Sequence, residues 1–180
     1  MSRSTWTKTF AAVFGVLFLF LVGLGMYWSV MPKPFWVNEY VDDQRTVVGF
    51  STTDTLIRVA ETLLDKRGGY ISNDVMPPGV WLDNMPNWEY GVLTQVRDLA
   101  RVSRNDYSRS QSQSAEDPDL AAAEPKFFFD NNSWILPRTE SEYHDAIKGF
   151  RSYRDRLTGV AGPEAQFYAR ADSLREWLAQ

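Results

Sequence analysis

The chain has 180 residues, 19 basic against 23 acidic, a formal net charge of −4 and no cysteine. That length suits one domain with a real core. The absence of cysteine excludes disulfides, thiolate metal sites and a lipid-modified lipoprotein. All but three of the basic residues, and every acidic one, follow Lys33, so the body of the chain is acidic and repels phosphate backbones; no nucleic-acid partner is expected.

The first predicted element is a membrane anchor. Phe10 to Met31, FAAVFGVLFLFLVGLGMYWSVM, is 22 residues without a formal charge, and as a helix it spans about 33 Å, enough for a bilayer core of about 30 Å. Trp6 precedes the run and Tyr27, Trp28 and Trp36 follow it, where amphipathic rings favour the water interfaces; Pro32 and Pro34 end the helix. A cleaved signal peptide has a shorter apolar part and a small-x-small cleavage site, and Tyr27, Trp28, Val30 and Met31 stand where that site would be. Arg3 and Lys8 precede the span and Lys33 follows it, which favours a cytoplasmic N-terminus and an extracytoplasmic domain. The expected organisation is a tail over 1–8, the anchor over 9–31, a linker over 32–50 and a helical domain over 51–180. Ala11 and Gly15 form a small-xxx-small pair that leaves self-association in the membrane, a homo-oligomer, open.

The next helix opens at Ser51, Thr52 and Thr53, hydroxyl caps, with Asp54 at the positive end of its dipole. Leu56, Ile57, Ala60, Leu63 and Leu64 make one apolar face. Lys66 and Arg67 lie in the last turn, and Gly68 supplies a left-handed stop. The stretch GGYISNDVMPPGVWLDNMPNWEYG, Gly68–Gly91, combines loop formers with Tyr70, Met76, Trp81 and Trp88. It reads as a structured plug with Tyr70, Trp81 and Trp88 turned inward.

Pro86 marks the start of a further helix, capped by Asn84 or Asn87, with Trp88, Val92, Val96, Leu99 and Tyr107 as its apolar stripe. Arg97, Arg101 and Arg104 recur on one face, read as a solvated surface. The polar run Ser108–Asp119 reads as a loop. Phe127–Phe129 and Trp134–Leu136 have the propensity for short strands. Thr139 and Glu142 read as a capping box, opening a helix whose stripe is Tyr143, Ile147, Phe150 and Leu157, with Ala146 and Tyr153 beside it. Gly162-Pro163 is read as the start of a last helix carrying Phe167, Ala171, Leu174 and Leu178, a pattern that calls for a partner helix in a longer chain or another subunit.

The two aromatic passages, YISNDVMPPGVWLDNMPNWEYG from Tyr70 and DNNSWILPRTESEY from Asp130, resemble a family of proteobacterial inner-membrane proteins known only as a domain of unknown function. The resemblance implies a single N-terminal anchor in the inner membrane, a periplasmic helical domain and a natural length above 180 residues, of which this chain is about the N-terminal half. It brings no catalytic residue.

No constellation points to chemistry. His144, the single histidine, sits between Glu140 and Lys148 at helical spacing, as on a solvated face. Asp130-Asn131-Asn132-Ser133 fails the calcium-loop pattern, because Trp134 and Ile135 occupy the next two positions, and reads as a turn. Asp83 and Glu89 are the best pair for glycosidase-type chemistry, yet an N-cap and dipole pairing explain them equally. No catalytic residue, cofactor or metal is expected. The candidate interaction surface is Trp81, Asp83, Asn84, Trp88, Asp130, Asn131 and Trp134. The expected role is a mainly α, non-enzymatic envelope component that docks an envelope protein partner. The alternative is a glycan-binding module or envelope hydrolase using Trp81, Trp88 and Trp134 as stacking platforms.

Overall fold

A computed structural model describes residues 3–37, 47–109, 115–168 and 175. Among the described residues five α-helices have both ends defined and no strand occurs: α1 Arg3–Trp28, α2 Phe50–Asp65, α3 Asn84–Val102, α4 Pro118–Phe127 and α5 Thr139–Leu157. Helix α1 is long and apolar enough to cross a membrane and is almost bare of protein contacts along most of its length. The other four pack into one bundle.

The bundle forms because each helix carries an apolar face too large to leave in water. All five expected positions of α2 and all six of α5 are buried, with Leu56, Ile57 and Leu63 meeting Ile147, Phe150 and Tyr153 in one cluster. On α4, Leu120, Ala123 and Phe127 complete it, and the Phe127 ring lies 5.8 Å from that of Phe150. Gly149 permits the α4–α5 crossing, since a Cβ there would sit 2.6 Å from Ala123 Cβ.

Several local expectations change. The α2 cap is Gly49, in a left-handed conformation (φ 90°), and no side chain caps the helix; Ser51–Thr53 lie inside it, and Asp54 pairs with Arg154 at 2.8 Å. A side chain at Gly49 would meet the ring of Phe167, which also packs on Tyr107 at 4.7 Å. The α3 core face is Met85, Glu89, Leu93, Val96 and Ala100; Trp88, Val92 and Leu99 are half-buried flanks. Helix α3 continues as a short π-helical turn, Ser103–Tyr107.

Helix α4 starts inside the expected polar loop. Asp117 caps it, accepting from the amides of Asp119 and Leu120, with Pro118 in the first turn; part of that expected loop, 110–114, lies outside the described residues. The triple Phe is not a strand: Phe127 ends α4, and Phe128 and Phe129 follow in a loop. Thr139 is the first residue of α5, not its cap, and its side chain points to loop carbonyls. Residues 160–168 are irregular, so the expected last helix does not begin at Pro163; Arg175 is helical, and Ala171, Leu174 and Leu178 lie outside the described residues.

Candidate interaction surface at the α1 end of the bundle

Helices α2 and α5 run antiparallel, with Asp54 beside Arg154 and Glu61 beside Arg151. The C-terminus of α2 and the N-terminus of α5 therefore lie at the same end. The end of α1 is there too: Arg67 stacks over the Tyr27 ring at 4.9 Å, and a Cβ on Gly68 would sit 2.7 Å from Trp28. Gly68 thus serves both its left-handed turn (φ 85°) and this close approach. Both aromatic loops, 66–83 and 128–138, spring from this end.

Glu89 ties down the first loop. Its carboxylate is fully buried, accepting from the amides of Ile71 (2.8 Å) and Ser72 (2.7 Å), from the Ser72 hydroxyl, and from Lys66 Nζ. Lys66 also donates to the carbonyls of Leu63 and Gly69, so its ammonium closes the end of α2 rather than facing water. Burial pushes the Lys66 ammonium below its usual pKa, and Glu89 opposes that shift. Neither expected role of Glu89, dipole partner or half of an open acid pair, is what the fold uses. Asp83 occupies the cap position of α3, exposed, without a capping bond from its side chain.

A second junction joins the loops to each other. Buried Asn73 donates through Nδ2 to the Ser133 carbonyl and to Glu140 Oε2, both at 2.9 Å. The same carbonyl accepts from the Thr139 amide at 3.1 Å, and Thr139 Oγ1 lies within bonding distance of it and of the Asp130 carbonyl. Tyr70, buried, donates to the Asn131 carbonyl and meets Tyr143 edge-on at 5.9 Å. Burial raises the phenol pKa of both tyrosines.

Arg97 satisfies the end of α4. It donates to the carbonyls of Phe127 (2.7 Å) and Phe129 (3.0 Å), while Arg101 stacks over Phe128 at 4.6 Å. Arg104 pairs with Glu116 and Glu124. The arginine face expected to be solvated is a set of ties between α3 and the chain after it.

Above these polar bases the loop tips are apolar and open. Val75, Met76, Val80 and Trp81 on the first, and Trp134, Ile135 and Leu136 on the second, are all more than half exposed, Leu136 at 87%. Trp81 is therefore not turned inward as expected; it lies against α1, its ring 6.4 Å from Phe18. Asn84 is exposed and donates to the Ser29 carbonyl at the end of α1 (3.1 Å). Asp130 caps a turn through the Asn132 amide (2.9 Å), Asn131 is half-buried, and His144 is exposed. Trp88 lines a cleft with Pro32, Pro34 and Phe35, apart from Trp81 and Trp134, so the three indoles do not share a groove.

An open cleft of about 600 Å³ lies between residues 30–35 and the last turns of α2. Its charges have both signs, Lys33, Arg58 and Arg67 against Glu61 and Asp65. No group of three or more His, Asp or Glu side chains suited to a metal occurs among the described residues.

The family model described as "Uncharacterized protein conserved in bacteria (DUF2333)" matches residues 1–180. The chain belongs to the DUF2333 family. No curated protein and no solved structure matches it. For this DUF2333 protein, the arrangement of its own residues carries the functional reading.

Proposed function

We propose that this DUF2333 protein is a non-enzymatic component of the bacterial cell envelope, with α1 spanning the inner membrane, its N-terminus in the cytoplasm and the helical bundle in the periplasm. In this reading the second loop tip, Trp134-Ile135-Leu136, docks an envelope protein partner. The observation that supports it most is the division of labour at the anchor end. Buried polar groups there, Glu89, Lys66, Asn73 and Thr139, bond to one another and to the loop backbone, whereas the apolar tips bond to nothing comparable. Solvent-exposed apolar side chains held on a rigid base are the usual form of a contact surface.

Two measurements in native membranes test the proposal. A membrane-impermeant thiol reagent applied to spheroplasts should label Lys148→Cys, at an exposed position, and spare Ser4→Cys; the reverse pattern contradicts the orientation. Crosslinking followed by partner identification should recover a defined envelope protein. Recovery of none, with saturable binding of the protein to purified peptidoglycan, would replace this reading with the glycan-binding one.

A further inference from the structure

The first aromatic loop contains eight consecutive uncharged residues, Val75-Met76-Pro77-Pro78-Gly79-Val80-Trp81-Leu82, bracketed by Asp74 and Asp83. It does not stand off from α1. Pro78, Trp81 and Leu82 pack beside Leu21, Val22, Gly25 and Met26, and Gly25 brings the surfaces close, since a Cβ there would sit 3.4 Å from Pro78 Cβ. The Trp81 ring reaches the level of Phe18.

Depth follows from helix geometry. Phe18 is ten residues before Trp28, about 15 Å along a helix axis, which is half of a hydrocarbon core of about 30 Å. With Tyr27 and Trp28 at the water interface, a side chain beside Phe18 lies among acyl chains. Side chains on the loop's outer surface, Val75, Met76 and Val80, are apolar and more than half exposed.

The end of the loop that lies against α1 has a backbone suited to the same environment, where an unpaired N–H is expensive. Pro77 and Pro78 have no N–H to satisfy. The amides of Val80, Trp81 and Leu82 bond within the loop, to the carbonyls of Met76, Pro78 and Gly79 at 3.4, 3.0 and 3.0 Å. Gly79 is required for this compact turn, because a Cβ there would sit 2.5 Å from Asp74 Cβ.

We propose that residues 75–82 form a second membrane contact, a short re-entrant loop that lies along the last turns of α1 and inserts into the bilayer leaflet on the bundle's side, with lipid acyl chains covering Val75, Met76, Val80 and Trp81. The bundle is then held to the bilayer at two places and cannot swing freely on its anchor. This rests on the reading of α1 as a membrane span.

The chain has no cysteine, so single cysteines in the full-length protein report one site each. Phe14→Cys, Met76→Cys, Trp81→Cys and Val160→Cys would be labelled with an environment-sensitive fluorophore and reconstituted in vesicles whose phospholipids carry brominated acyl chains. Expected is strong loss of emission at positions 14, 76 and 81, and none at 160, an exposed position following the other end of α5. Position 76 is largely exposed, so its label should not disturb the fold even where Trp81→Cys does. Quenching at 14 with 76 and 81 bright and reactive to water-soluble thiol reagents overturns the re-entrant loop and leaves the span standing. Quenching at 14 with 76 and 81 neither quenched nor reactive also overturns it, in favour of a protein cover. No quenching at 14 removes the span and the loop together.

Discussion

The two ends of the bundle are closed in the same way and finished differently. At the far end Arg156, nearly buried near the C-terminus of α5, grips the start of α4: it bonds to both Asp117 oxygens at 2.7 and 2.8 Å and to Asp119 at 2.9 Å. At the α1 end Lys66 and Glu89 play the corresponding part, joining the end of α2, the first loop and the start of α3. Each clamp satisfies backbone groups or caps that the helix ends leave over. Among the described residues the α1 end adds seven exposed apolar side chains on two loops, whereas the far end exposes Val48 and Val160 and seats Phe167 on Tyr107. The tips lie outside the buried core cluster, so contact outside the bundle is their best account.

The largest effect that sharpens this contrast should come from Glu89→Ala. It leaves a buried ammonium and two loop amides without their acceptor, and removing one partner of a buried ion pair costs about 3–5 kcal/mol. Chemical denaturation of the full chain in detergent should show that loss; a cost below about 1 kcal/mol, the range of a surface pair, would mean the clamp is dispensable. Arg156→Ala should follow at about 3 kcal/mol, at the lower end of the same range because Asp119 is partly solvated.

Alkaline pH should weaken both ends together. Tyr70, Tyr143 and Tyr153 are buried and their phenol pKa values are raised, chiefly by desolvation. Above the ordinary value of about 10 the unfolded chain loses these protons while the folded one keeps them, so stability falls as pH rises. Lys66 acts oppositely, because its lowered pKa favours the folded state as pH climbs towards the ordinary lysine value, but it is one group against three. Of the eight tyrosines some are exposed, so titration should show the last part of the tyrosinate absorbance rising in step with loss of helicity, and ionisation of all eight in a still-folded chain would contradict the burial of these rings.

The smallest stability effect belongs to the tips. Leu136→Ser and Met76→Ser should change unfolding free energy by no more than about 0.5 kcal/mol, as expected of surface positions. A cost above 2 kcal/mol in either would place that side chain in the core and erase the distinction between base and tip.

Periodicity made α2 and α5 legible because both bury uninterrupted apolar faces. Helix α3 was displaced by one position because its core face includes Glu89, and a charged residue reads as surface unless its partners are known. Those partners, Lys66 and the amides of Ile71 and Ser72, are some 17 to 23 residues away in the chain, beyond any local pattern. Helix α4 was hidden by its length of ten residues and an internal Pro125, although Asp117-Pro118 was a cap-and-proline start that could have revealed it. Trp81 reads as inward from the sequence because burial is the default for an indole, and nothing in the local pattern places α1 beside the loop. The candidate surface was legible as an aromatic composition, but its division into polar base and apolar tip is tertiary.

The most direct test of that division is site-specific photocrosslinking of the full-length protein in its native membrane, comparing a photoreactive residue at Leu136 with one at Val160. Both positions are exposed and apolar, and they lie on loops adjoining opposite ends of α5. The account predicts a discrete protein adduct from position 136 and none from position 160. An adduct from 160 with none from 136 would contradict it.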